Sequence, residues 1–299
     1  MKIVNPKMET RLSNATCPYC HTKIDESNST KEHAIGRKFV PKDSLDSQWN
    51  LIIRACRKCN HEKGLLENDL SVISMWPSPT VTELDERLVE EIQRKGTAKS
   101  VRTGKWVRES EESSTVKAEV MQGCKASFGF TGPPQADRDR VAKLAWFHIS
   151  VFFYMITYDK AKRIGYPIPG GLAFVGAVGK SDWGNPQIIG FQNMIASWDS
   201  RVHCVSADGY FRLVIKRQPG LDENTPLWSW AVEWNKGLRI FGFFGDHEQV
   251  QQSVDKLPIL QMKLGEQSVD PEKGPYTLRY REETSLLHAN DRLFEFNES

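Results

Sequence analysis

Two CxxC pairs constrain this chain more than any other feature. Cys17-Pro-Tyr-Cys20 and Cys56-Arg-Lys-Cys59 are separated by 35 residues, so the intervening segment must fold back if the pairs share one ion. Two such pairs in a short window read as a four-cysteine zinc site. Four thiolates close the tetrahedral shell of Zn2+ and leave no open position, so the zinc expected here is structural. Its role would be to pin a hairpin to the start of a helix in a unit with little core of its own. Cys124 and Cys204 stand apart from the pairs. That usage fits a reducing cytoplasm with one metal site better than an oxidised scaffold. The opening MKIVNPKMETRLSN lacks an apolar signal core, which also leads to a cytoplasmic expectation.

The segment enclosed by the cysteines carries two short apolar runs, Ala34-Ile35 and Leu51-Ile52-Ile53, joined by a loop with Pro41 and Asp43. This predicts a β-hairpin with a long, irregular connection. From Asn60 to Met75 the spacing becomes helical, with Leu65, Leu66, Leu70, Ile73 and Met75 available for one face, and Pro77 and Pro79 end it. The first unit is therefore strand, strand, helix over residues 1–76. Residues 77–123 are expected to hold an amphipathic helix over 81–95, built on Leu84, Leu88 and Ile92, and then a basic linker. The acid-free basic stretch 98–108 around Trp106 is either a solvated linker or an arm that tracks a phosphate backbone.

Residues 141–158 are apolar nearly all round, as in a helix buried on most sides. The span without formal charge, Leu144 to Tyr158, includes His148 and is shorter than the roughly 20 residues a membrane crossing needs, so no membrane partner is expected. Apolar runs at 171–178, 187–195, 210–216, 228–234 and 238–244, with Asn235-Lys-Gly237 as a hairpin turn, predict a sheet packed on that helix. The expected fold class is α+β, with a second, mixed α/β domain over 124–299 whose role is targeting, regulation or partner binding.

Glu32-His33, Asn50 and Cys59-Asn60-His61-Glu62-Lys63 occur in that order inside the cysteine window. With Thr30-Lys-Glu-His-Ala and a downstream Pro41, this array resembles the HNH (ββα-metal) endonuclease family. More narrowly it is similar to the zinc-bearing HNN variants, in which an Asn directly follows the last cysteine. The resemblance covers about residues 15–75. It implies a ββα-metal fold and hydrolysis of phosphodiester bonds, leaving 5′-phosphate and 3′-hydroxyl ends by nicking or double-strand cleavage. His33 would be the general base. Glu32 and Asn60 would hold one Mg2+ or Mn2+ through oxygen. Asn50 would hydrogen-bond across the hairpin and fix the loop that presents His33. The family more often has Asp where this chain has Glu32. His61 is the fallback for Asn60, since neighbours on a helix point about 100° apart.

Residues 31–63 contain eight Lys or Arg against four Asp or Glu, although the whole chain carries only +2. A local positive excess suits a phosphate backbone, and Arg37, Lys38, Arg54, Arg57, Lys58 and Lys63 are the candidate DNA contacts, with RNA as the other possible substrate. Small HNH proteins with an added domain resemble nucleases of bacterial restriction, anti-phage defence and mobile elements. The competing expectation is a non-catalytic zinc module that binds nucleic acid, with 124–299 engaging a protein partner. On the two-domain reading, deleting residues 124–299 should leave metal binding intact.

Overall fold

In this computed structural model the residues described are 9–75, 85–97, 99–100, 104, 106, 113–121, 124–131, 138–221, 226–258 and 289–295. A short strand, β1 (Thr10–Arg11), runs parallel to β3 (Leu51–Cys56), and β2 (Ser29–His33) pairs antiparallel with β3 on its other side. The expected hairpin is present, but its first strand is Ser29–His33 and not Ala34-Ile35. The reason lies in burial. The buried residues of β2 are Ser29 and Glu32, one on each face, polar groups that an apolar pattern does not register. Helix α1 (Arg57–Met75) starts before the expected Asn60, so the second CxxC pair spans its first turn.

Helix α2 (Glu86–Gly96) begins at Asp85, whose carboxylate accepts a hydrogen bond from Arg87 N. The rest of the expected helix, including Leu84, lies outside the described residues. The stretch expected to be a linker contains a hairpin of β4 (Ser113–Met121) and β5 (Cys124–Thr131). The expected boundary at 123/124 therefore divides the two arms of one hairpin. Of the basic arm, Lys99 and Trp106 form an isolated bridge; most of the remainder lies outside the described residues.

Helix α3 (Arg138–Ile156) is the long buried helix. It is followed by β6 (Leu172–Gly179), α4 (Pro186–Met194), β7 (Asp199–Ser206), β8 (Phe211–Arg217), β9 (Leu227–Trp234), β10 (Leu238–Gly245) and α5 (His247–Asp255). Strands β6-β10-β9-β8-β7 form one antiparallel sheet in that order. The apolar run at 187–195 is a helix, not a strand. Asn185 accepts from Ile188 N and Pro186 opens the first turn, a helix start that outweighs the strand-like apolar content. The turn at Asn235-Lys236 has positive φ at both residues and closes with Gly237 N on Trp234 O, as a tight antiparallel hairpin requires.

The sheet is covered on both faces. Alternation sends Trp230, Val232 and Trp234 to one side and Ala231, Phe241 and Phe243 to the other. Gly242 leaves room for Trp230, since a Cβ there would meet the indole and the Ala173 carbonyl. One continuous core joins the sheet to α3 and to the N-terminal unit, from Tyr19, Phe39 and Leu51 through Phe147 and Phe152 to Phe211 and Trp234. Phe39 packs edge-on against Trp234 at 5.4 Å, and Tyr19 edge-on against Phe147 at 4.8 Å. Residues 17–70 and 141–244 thus share a core, so the expected break after residue 76 is not a break in packing. The described chain is mixed α+β, with five α-helices among the described residues. No described helix is long and apolar enough to cross a membrane.

Candidate metal and active site

The knuckle around the first CxxC pair is shaped by Cys17 N on Thr22 O and His21 N on Cys17 O, with His21 in the left-handed region. The second pair lies at the end of β3 and the first turn of α1, where Cys59 N approaches the Cys56 sulfur at 3.4 Å. Pairing of β2 with β3 brings the two together. All four sulfur atoms lie within 4.8 Å of one another, and Cys20 and Cys56 are 3.7 Å apart. A tetrahedral Zn2+ with bonds of about 2.3 Å sets its sulfurs about 3.8 Å apart, so this cluster fits zinc. Burial pushes the Cys17 thiol up to about 11 and raises Cys59 as well, whereas Thr22 beside Cys20 overcomes its burial and brings it down to about 7. Burial opposes the thiolate at Cys17 and Cys59, and a cation among the sulfurs would favour it. A cleft of about 570 Å³ lined by Cys20, Cys56, Lys58, Lys143 and Trp146 gives an ion access.

Glu32 and Lys63 point inward. On α1, Cys59, Lys63, Leu66 and Leu70 share the buried face. Lys63 is 1% exposed, and its ammonium lies 2.8 Å from Glu32 Oε1, 2.7 Å from Glu67 Oε1 and 3.1 Å from the His33 carbonyl. Three protons meet three acceptors. Tyr19, also buried, donates its hydroxyl to Glu32 Oε1 at 3.1 Å. Burial raises the Glu32 carboxyl more than Lys63 lowers it. For Glu67 burial acts in the same direction, but Lys63 prevails and holds its carboxyl below the ordinary value. Burial opposes the charge on Lys63, yet the two carboxylates raise its pKa. Behind Glu67 stands His148 of α3, fully buried, with Nε2 3.7 Å from Glu67 Oε1. Burial pushes His148 down to about 4, so it is neutral at pH 7.

Asn50 is buried and clamps Ile35, accepting from its N–H at 3.1 Å and donating to its carbonyl at 2.8 Å. This is a cross-hairpin bond of the kind expected of it. Asn60 donates Nδ2 to Thr30 Oγ1 at 2.6 Å and to Lys31 O at 3.3 Å. The two acceptors fix the amide's orientation, and Oδ1 makes no protein hydrogen bond among the described residues. Thr30 and Glu32 lie on the same face of β2, so Asn60 and Lys63 of α1 run alongside them in step. His61 is exposed and points elsewhere.

His33, the last residue of β2, has the opposite strand parity from Glu32. The charges acting on it are chiefly Lys31, Arg37 and Glu9. Burial first, then Lys31 and Arg37, lower its pKa and favour the neutral ring. Its Nε2 is shielded and has no hydrogen-bond partner among the described residues. Glu32 and Asn60 therefore share the α1 side of β2, and His33 occupies the other side of the same strand end.

The basic residues divide into two groups. Arg37, Lys38, Arg57 and Lys58 are exposed. Arg54 is held against Ser29 by Nε on its hydroxyl at 2.9 Å. Lys63 cannot reach a DNA backbone: its place on the buried face of α1, opposite two carboxylates, turns it inward. Sequence reading missed Tyr19, Glu67 and His148 as members of this group. The spacing of Lys63 and Glu67, four apart on a helix, and a lone imidazole in an apolar span were the available signals. Among the described residues the four cysteines are the one cluster of three or more Cys, His, Asp or Glu side chains placed to hold a metal. No family model, curated protein or solved structure matches this chain.

Proposed function

We propose that this protein is a metal-dependent nuclease that hydrolyses phosphodiester bonds in DNA, with a structural zinc at the four cysteines. The observation that carries the reading is the arrangement at the end of β2. Asn60 spends its amide nitrogen on β2, and its Oδ1 has no hydrogen bond among the described residues. Glu32, on the same face, has Tyr19 and Lys63 on Oε1 and no hydrogen bond to Oε2 among the described residues. Two such oxygens suit a hard divalent cation. When bound, Mg2+ or Mn2+ would neutralise charge on the scissile phosphate and on the departing 3′ oxygen.

The chain's own residues do the rest. In this reading His33, kept neutral by burial and by Lys31 and Arg37, is the base that takes the proton of the attacking water, and it would do so from across the end of β2, on the side opposite Glu32 and Asn60. The new bond forms between that oxygen and phosphorus, the P–O3′ bond breaks, and the 3′ oxygen takes a proton from solvent. Asn50 holds the Ile35 backbone and with it the exit of β2. Exposed Arg37, Lys38, Arg57 and Lys58 supply sequence-blind backbone contacts.

One observation favours a second reading. Lys63 already provides Glu32 with a cationic partner, as a purely structural carboxylate in a zinc-clipped, nucleic-acid-binding module would require. Plasmid DNA with purified protein and Mg2+ or Mn2+ separates the two. The nuclease reading expects nicked or linear product, lost in His33→Ala by a factor of about 100 or more. Intact plasmid with the wild type, or equal cleavage by His33→Ala, overturns it and leaves the binding module.

A further inference from the structure

We propose that the outer face of the three-stranded sheet, the side of β2 that carries His33, seats the phosphate backbone of a nucleic acid, with Lys31 and Arg54 as its central contacts. The inference rests on the nucleic-acid reading and names the surface along which the strand runs. Strand parity puts Ser29, Lys31 and His33 on that face, opposite Thr30 and Glu32. Register sets Lys31 directly across from Arg54 and His33 across from Ile52, and Ile52 in turn pairs with Arg11 of β1. Arg37, from the loop after β2, comes within 3.9 Å of Glu9, the acid that also pairs with Arg11.

Two cations directly opposed on neighbouring strands repel, and a sheet selected for stability alone would set an acid against one of them. The acids nearby are engaged elsewhere. Glu9 accepts Nε and Nη2 of Arg11 at 3.3 and 2.9 Å, and Asp25, which feels the charge of Arg54, accepts from Ser27 and from Asn28 N. Arg54 donates Nε and Nη2 to the hydroxyl and carbonyl of Ser29, which orients its guanidinium without neutralising it. Lys31 is exposed and has no ion-pair partner among the described residues. An anion bridging Lys31 and Arg54 removes the repulsion, as one phosphate of a backbone would. Alternate residues on one strand face are about 6.6 Å apart, a step comparable with one nucleotide of an extended strand. A phosphate held at Lys31 and Arg54 therefore brings its neighbour to His33, the residue read as the base.

The test is binding of a fluorescein-labelled DNA duplex to the full-length, zinc-supplemented protein without added Mg2+, read by anisotropy over a series of salt concentrations, beside thermal melting of each variant. Lys31→Glu places an acid opposite Arg54. It is expected to raise the thermal midpoint by about 1–2 °C and to weaken DNA binding by about tenfold or more. Lys31→Ala and Arg54→Ala should each weaken binding about fivefold and lower the salt slope by about one, whereas Lys256→Ala, exposed at the end of α5, should change neither. If Arg54→Ala loosens the sheet by releasing Ser29, the Lys31 variants decide. A Lys31→Glu protein that binds DNA as the wild type does, or that loses midpoint and affinity together, overturns the inference alone. No DNA binding by the wild type overturns the nucleic-acid reading and the inference with it. Binding that follows the expected pattern beside an uncut plasmid in Mg2+ overturns only the nuclease reading and upholds the surface.

Discussion

Lys63 shows how a single side chain is assigned by its surroundings. A long cationic residue ordinarily reaches solvent, but here it lies between two carboxylates and a backbone carbonyl. Removing it would leave uncompensated buried charge, a loss of roughly 3–5 kcal/mol. His148 poses the complementary case, a buried imidazole with no hydrogen-bond partner among the described residues. Its pKa falls from the ordinary 6.5 to about 4 on folding. The unfolded chain takes up this proton as pH drops through 6.5, and the folded chain does so only near 4. Stability from this group is therefore present above pH 6.5 and is lost progressively down to about 4, by about 3 kcal/mol at most. Urea unfolding of wild type and His148→Phe at pH 7.5 and 5 is the check. The wild type should lose more stability on acidification than the variant does; parallel losses would contradict the burial argument.

At the scale of elements, the first unit is three short strands with four converging cysteines and side chains that bond to backbone. β1 contributes two residues, β2 five and β3 six, too little for a core of their own. A zinc ion at the four cysteines would clip the knuckle to the first turn of α1 and so fix which face Asn60 and Lys63 present to β2. Cys17→Ser is expected to lower bound zinc from one per chain to a small fraction and to lower the thermal midpoint, because metal binding and folding are coupled in such units. Cys204→Ser removes a buried thiol outside the cluster and should leave zinc content unchanged. Elemental analysis of both variants checks this; a zinc content insensitive to Cys17 would refute the four-sulfur site. Much of this unit was legible beforehand. The hairpin and helix followed from Leu51-Ile53 and from the leucines of α1, whereas β2 was misplaced because Glu32 and Ser29 fill buried positions with polar groups.

For the whole molecule, the decisive fact is that the cysteine-bearing unit and the five-stranded sheet meet over one core. Asn235, at the tip of the β9–β10 hairpin, donates to Phe39 O at 3.1 Å and Ser74 Oγ at 2.8 Å, and Ser206 Oγ donates to Trp49 O at 2.5 Å. Tyr154 of α3 hydrogen-bonds Thr16 beside the knuckle at 2.9 Å. A fragment of residues 1–96 would expose Tyr19, Phe39 and Trp49, and leave Glu67 and Lys63 without the cover of α3. It is expected not to fold cooperatively, the reverse of what a two-domain reading of the sequence suggests. Thermal melting and amide dispersion in a nuclear magnetic resonance spectrum of the zinc-supplemented fragment check this. A well-dispersed spectrum with a sharp melt would show that the N-terminal unit does not need the shared core.

Spacing along the chain was enough to locate the four-cysteine cluster, the strand–strand–helix order around it and the long buried helix. Each of these follows from spacing along the chain: two sulfur pairs, a period of two, a period near 3.6. Packing in three dimensions settled that Lys63 turns inward, that Glu67 shares its ammonium with Glu32, and that His148 of α3 closes the group. Those outcomes depend on which buried faces meet and how their charges balance. Helical spacing brings Lys63 and Glu67 together, but Glu32 and His148 join them only when β2 and α3 pack against α1.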